Sequence, residues 1–249
     1  MTFAIIQGLI LPCLGTTLGA ACVFFMKDRL HPALQRALLG FAAGVMTAAT
    51  VWSLLLPALE HAAHWGVFAI LPALGGLWLG IGFLILLDRL TPQAEVSPGS
   101  VKKMIFAVAL HNLPEGMAVG VVLAGLMQGE EGITPATVTA LALGIALQNF
   151  PEGAIVSLPL GSGGTPKGRA FWWGTLSGLV EPAGCGLMLA TASLLAPILP
   201  WCLGFAAGAM LFVVVEELIP QRSEGDSHGG TVFFGVGFSV MMLLDVLLG

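Results

Sequence analysis

The fold this sequence predicts is all-α: a polytopic membrane protein with eight transmembrane helices and inverted-repeat architecture. Three observations carry it. Hydrophobic residues fill 57% of the 249 positions and charged residues only 9%, against about 25% charged in a soluble domain. The apolar residues gather into eight runs of the roughly 20 residues a helix needs to cross the hydrocarbon core. All nine Lys and Arg residues lie in or beside alternate connections, on one face of an eight-helix fold. A closed barrel would need alternating strands of about ten residues, and these runs do not alternate.

The runs occupy residues 3–26, 36–59, 67–87, 104–128, 136–160, 170–194, 198–220 and 231–248. They leave no room for a soluble domain, so one transmembrane domain over 1–249 is expected. The first run lacks a basic leader and has Lys27 and Arg29 behind it, so it reads as a retained helix. The second contains Gly40-Phe41-Ala42-Ala43-Gly44, small residues that let membrane helices approach closely, and ends near Pro57. Met46 in this run reads as packing. His61 and His64, beside Glu60 at its outer end, read as exposed loop histidines rather than as residues that capture ions before entry. The third run leads into the longest loop, residues 88–103, a polar linker by composition.

The fourth run contains His111-Asn112-Leu113-Pro114-Glu115-Gly116, and 37 positions later the fifth contains Gln148-Asn149-Phe150-Pro151-Glu152-Gly153. The sixth adds Glu181-Pro182. The seventh repeats the phrase of the second as Gly204-Phe205-Ala206-Ala207-Gly208, ending near Pro220. Glu216 and Glu217 at its inner end read equally as an exit relay and as interfacial acids. Residues 221–230, with His228, read as a solvated turn, while Asp245 in the eighth run and His31 read as interfacial.

Lys27, Arg29 and Arg36 flank the first connection, Arg89, Lys102 and Lys103 the third, Lys167 and Arg169 the fifth, and Arg222 the seventh. Retention of Lys and Arg in the cytoplasm then puts both termini outside. Helices two and seven run in opposite directions, as do four and five. That is the pattern of an inverted repeat in a transporter, with substrate near the midplane. Cys13, Cys22, Cys185 and Cys202 have no CxxC spacing and read as packing rather than as a disulfide frame. No basic patch suits nucleic acid.

His111 and Glu115 project from one helix face one turn apart, with Asn112 beside them, and Gln148, Asn149 and Glu152 repeat that geometry. Imidazole, carboxylate and amide oxygen are ligands for borderline divalent ions. Pro114 and Pro151 cannot bond the carbonyls of Leu110 and Leu147, which predicts helices loosened beside the ligands. Each ionised acid near a helix centre costs about 2.5–3.5 kcal/mol, so Glu115, Glu152 and Glu181 unpaired would cost roughly 8–10 kcal/mol. With no Lys or Arg near the middle of the spans, the compensating charge must come from bound cations, protons or water. One ion with a retained proton and a two-metal cluster sharing a carboxylate both satisfy the charge.

These paired phrases, the Glu-Pro in the sixth helix and the Phe-Ala-Ala-Gly helices resemble the ZIP (Zrt-, Irt-like protein) family of divalent metal transporters, short bacterial type, over essentially the whole chain. The resemblance implies import of zinc, and often iron, manganese, cobalt or cadmium, through the inner membrane by alternating access. It implies a binuclear centre in which His111, Glu115, Gln148 and Glu152 hold one ion and Asn112, Asn149, Glu152 and Glu181 the other, with Glu152 as the bridge. It also implies a homodimer in which one helix bundle moves against another. Gln148 and Asn149 depart from the family pattern, where many members have His and some have Asp. The His-rich cytoplasmic loop of many eukaryotic relatives is absent. No prosthetic group or catalytic residue is implied. The competing readings are an intramembrane zinc-dependent hydrolase and a divalent cation channel. The hydrolase motif HExxH fails here, because Asn112 stands where its Glu would be and Glu115 where its second His would be.

Overall fold

A computed structural model describes residues 2–26, 31–90, 101–130, 132–191, 198–219 and 228–248, apart from the side chains of 101–111 and Glu217. All regular structure among the described residues is helical. The elements are α1 (Thr2–Phe25), α2 (Pro32–His61), α3 (Ala63–Leu90), α4 (Val101–Gln128), α5 (Pro135–Ser162), α6 in two pieces (Lys167–Gly178 and Val180–Ala190), α7 (Leu199–Val213, continued by a π-helical turn over Val214–Leu218) and α8 (Gly229–Leu248). Among the described residues α1, α2, α3, α5, α7 and α8 have the length and apolarity to cross a membrane. Lys27, Arg29, Pro220, Arg222 and the linker core 91–100 lie outside the described residues.

The prolines act differently from one helix to another. α4 and α5 run unbroken through Pro114 and Pro151, so the expected loosening does not interrupt either helix. The sixth helix, read as continuous over 170–194, is instead interrupted at Leu179. Pro182 has no N–H for the carbonyl of Gly178, four positions back, and the chain turns there before restarting at Val180. Residues 192–194 lie outside the description. α2 widens into a π-helical turn over Thr50–Leu55, ahead of Pro57, which likewise cannot bond Ser53. The π turn of α7 begins 214 − 50 = 164 positions later. That is the offset between the two Phe-Ala-Ala-Gly phrases, 204 − 40 = 164.

Local signals set the helix ends. Thr134 caps α5 by accepting from the Thr137 N–H at 3.1 Å, while the Thr137 hydroxyl accepts from the Thr134 N–H at 3.3 Å, with Pro135 at the first position. The α2–α3 turn uses a tight helical segment over Ala63–Ala69, in which Gly66 takes a φ of 60°. Lys167 at the start of α6 donates to the Phe24 carbonyl at 3.1 Å, joining it to the end of α1.

Two groups of helices emerge from the packing. α1 packs on α5 and α6, and α4 on α6; α2 packs on α8, and α3 on α7. The groups meet where α2 and α8 touch α5 and where α7 touches α4. Among the six long apolar helices α2 and α5 are accordingly the most enclosed, each 67% buried, against 17% for α8. Leu18, Trp78, Leu79 and Val246 are exposed, as lipid-facing residues are. Met46 is fully buried in the core, with Leu54, Ile145 and Met210.

Close backbone approaches reveal the repeat in detail. A side chain on Gly153 of α5 would overlap the Thr16 carbonyl of α1, and one on Gly116 of α4 would overlap the Glu181 carbonyl of α6. The partners are offset by 153 − 116 = 37 and 181 − 16 = 165. Gly19 against the Phe150 carbonyl and Gly184 against the Leu113 carbonyl reproduce both offsets. Gly40 and Gly44 meet Gly230 and Phe234 of α8, while Gly204 and Gly208 meet Ala73 and Leu77 of α3. Thus α1–α3 correspond to α6–α8, and α4 to α5, as in an inverted-repeat transporter. Asp245, read as interfacial, is more enclosed than a residue facing water. It is buried between helices and accepts from the Ser53 hydroxyl of the α2 π turn at 2.9 Å.

Candidate metal centre

The repeat places the two Pro-Glu-Gly phrases side by side near the middle of α4 and α5, against the unwound point of α6. Asn112, Glu115, Gln148, Asn149 and Glu181 are all buried, each at 1% exposure or less, and Glu152 is partly buried. The His111 side chain lies outside the described residues. Glu115, Glu152 and Glu181 stand close enough for their charges to act on one another.

Equivalent hydrogen bonds orient the two halves. Asn112 donates its amide to the Ser177 carbonyl of α6 at 3.2 Å, and Asn149 donates to the Pro12 carbonyl of α1 at 3.5 Å. The carbonyls differ by 177 − 12 = 165 and the amides by 149 − 112 = 37, the offsets of the repeat. Because a carbonyl can only accept, each pins the nitrogen end of its Asn and directs the oxygen end elsewhere. Asn112 also donates to Glu181 Oε1 at 3.2 Å, and Thr16 donates to the same oxygen at 2.9 Å. Gln148 donates to Glu115 Oε1 and, at 3.0 Å, to Asn149 Oδ1.

Each donor group named here thus has a partner, and acceptors are left over. Asn112 Oδ1, Glu115 Oε2, Gln148 Oε1 and Glu181 Oε2 are buried without a hydrogen-bond partner. An unpartnered buried acceptor is costly, about 1–3 kcal/mol and more when charged. Four of them in one polar cluster of a membrane bundle form a surface of oxygen lone pairs suited to a cation. Among the described residues no three His, Cys, Asp or Glu side chains are gathered tightly enough to enclose a metal ion alone.

The arrangement adds α1 to the helices that carry the phrases. Thr16, fully buried, and the Pro12 carbonyl are contacts the sequence did not single out. The available signals were a proline inside an apolar run, as in the helices with the motifs, and a Thr 165 positions before Glu181.

The sequence matches known proteins along most of its length. Residues 100–245, which hold both phrases and Glu181, match the model of the family described as "Zip: ZIP Zinc transporter". The chain is 34% identical to Zinc transporter ZIP11 of Xenopus tropicalis and 35% identical to Zinc transporter GufA of Myxococcus xanthus, covering 94% of each sequence in both pairings. It is 38% identical to Zinc transporter ZIPB of Bordetella bronchiseptica, over 94% of this chain and 78% of the relative. With both phrases inside the matched region and relatives aligned along nearly its whole length, the chain belongs to the ZIP family of membrane transporters, not to an enzyme family.

Proposed function

We propose that this protein carries divalent transition-metal ions, zinc foremost, across the cell membrane into the cytoplasm. The observation that carries this reading is the set of four unpartnered buried oxygens at Asn112, Glu115, Gln148 and Glu181. His111 and Glu152 complete the site, with Asn149 held beside Gln148. Glu152 bridges two ions, one on the His111, Glu115 and Gln148 side and one on the Asn112, Asn149 and Glu181 side. Iron, manganese, cobalt and cadmium fit the same ligand types, since oxygen and imidazole donors discriminate weakly among borderline divalent ions.

Alternating access follows from the two helix groups. Movement of α1, α4, α5 and α6 as a unit against α2, α3, α7 and α8 exposes the site to one side and then to the other. The basic connections lie in the cytoplasm and both termini outside. Two copies form the working assembly in the bilayer.

Flux in proteoliposomes tests the reading. Wild-type protein is expected to give saturable uptake of zinc, and Glu152→Ala to reduce it to the level of empty vesicles. Ohmic single-channel currents would replace the carrier with a channel. Hydrolysis of a lipid or peptide without ion flux would replace it with an enzyme.

A further inference from the structure

We propose a second divalent-cation site at the end of the bundle where α2 meets the α4–α5 turn, built on the imidazole Nε2 atoms of His61 and His64. This site does not rest on the transport reading. Both histidines line a cleft of about 270 Å³, together with Trp65, Pro72, Glu130 and Trp201.

The two rings share one arrangement. His61 Nδ1 lies 3.1 Å from Glu130 Oε2, and His64 Nδ1 lies 3.1 Å from the His61 carbonyl oxygen. A carbonyl accepts only, and an ionised carboxylate does too, so in the neutral form of each ring the proton sits on Nδ1 and Nε2 carries the lone pair. Metal-ligating histidines nearly always engage their other nitrogen this way, with a carboxylate or backbone carbonyl fixing the tautomer.

A third observation points to a ligand. The His61 side chain is only 8% exposed, and its Nε2 is buried without a hydrogen-bond partner. A neutral imidazole buried only for packing would leave that lone pair unsatisfied. The setting is acidic as well. Glu130 is bonded to His61, and Glu60 reaches the same turn, its Oε2 lying 3.0 Å from where a Gly132 side chain would begin.

Two imidazole nitrogens select borderline ions such as zinc or cobalt over magnesium and calcium. Water completes the shell, since among the described residues no third His, Cys, Asp or Glu closes a cage here. The ligands come from one helix group and the orienting Glu130 from the other, so an ion here bridges the two.

Zinc binding by the full-length protein in nanodiscs provides the test, with the midplane site disabled by Glu115→Gln and Glu181→Gln. Equilibrium dialysis should find a bound ion that survives millimolar magnesium. X-ray absorption should show two nitrogen neighbours at about 2.0 Å. His61→Ala with His64→Ala on that background should weaken binding at least about tenfold, and Glu130→Gln about 10–100-fold. The pair His61→Gln and His64→Gln serves if the alanine variant does not fold, and should lose the ion equally. Undiminished zinc affinity in either folded histidine variant would overturn the proposal. So would a midplane-disabled protein that binds no zinc.

Discussion

Replacing Glu115 with Gln is expected to remove most of the rise in melting temperature that zinc confers on the purified protein, and to weaken zinc binding at the midplane site at least about a hundredfold. Glu115 is 1% exposed, one oxygen accepts from Gln148, and the other has no donor. Removing one partner of a buried ionic contact costs about 3–5 kcal/mol, which is two or more decades in affinity. A ligand at a hundred times its dissociation constant stabilises the native state by about 2.7 kcal/mol, so the same change removes most of the zinc-dependent shift. The amide keeps the size of the side chain and an oxygen for the Gln148 donor. Loss of the shift therefore reports loss of charge rather than loss of packing. Differential scanning fluorimetry with and without zinc reads it directly. A variant still stabilised as strongly as wild type would remove Glu115 from the ligand set. Because His61 and His64 are untouched, the outer ion should persist and appear as a residual, weaker shift.

Much of this geometry was legible because polar residues inside apolar runs are expensive and therefore conspicuous. Asn112, Glu115, Gln148, Asn149 and Glu181 stood out for that reason, and the structure gathers them from three helices. The repeated glycine phrases likewise announced close packing and the equivalence of α2 with α7. What stayed hidden works through the main chain. The carbonyls of Pro12 and Ser177, which pin the two Asn amides, have no side-chain signature, and Thr16 is an ordinary residue in a membrane helix. The π turns of α2 and α7 and the break in α6 depend on how neighbouring helices absorb a missing proline hydrogen bond. Pro114 and Pro151 leave their helices whole while Pro182 does not, so residue type alone could not separate them. Asp245 sits near a helix end, where an acid can reach water, and only the packing of α8 on α2 buries it against Ser53. The pairing of His61 with Glu130 was equally invisible, because Glu130 is remote from it in the sequence.

The largest structural effect is expected from Gly153→Leu and Gly116→Leu, which should lower both the melting temperature and the zinc uptake. In each case the added side chain would meet a backbone carbonyl rather than the tip of a flexible chain: that of Thr16 for Gly153 and that of Glu181 for Gly116. Overpacking of a tight interior costs about 1–3 kcal/mol even when side chains can yield, and a helix backbone yields less. The displaced residues also belong to the proposed metal centre. Separating α5 from α1 strains the Thr16–Glu181 and Asn149–Pro12 contacts, and separating α4 from α6 strains Asn112–Ser177 and Asn112–Glu181. Because the two glycines are equivalent under the repeat, both variants should lose stability to a similar extent. Gly82 and Gly186 supply the contrast. A Cβ at either position meets nothing within 4 Å, so Gly82→Ala and Gly186→Ala should preserve uptake and stabilise their helices by up to about 1 kcal/mol. Thermal unfolding and flux measured on the four variants decide the matter. Full activity in Gly153→Leu would show that α1 and α5 are not held at the separation on which the site depends.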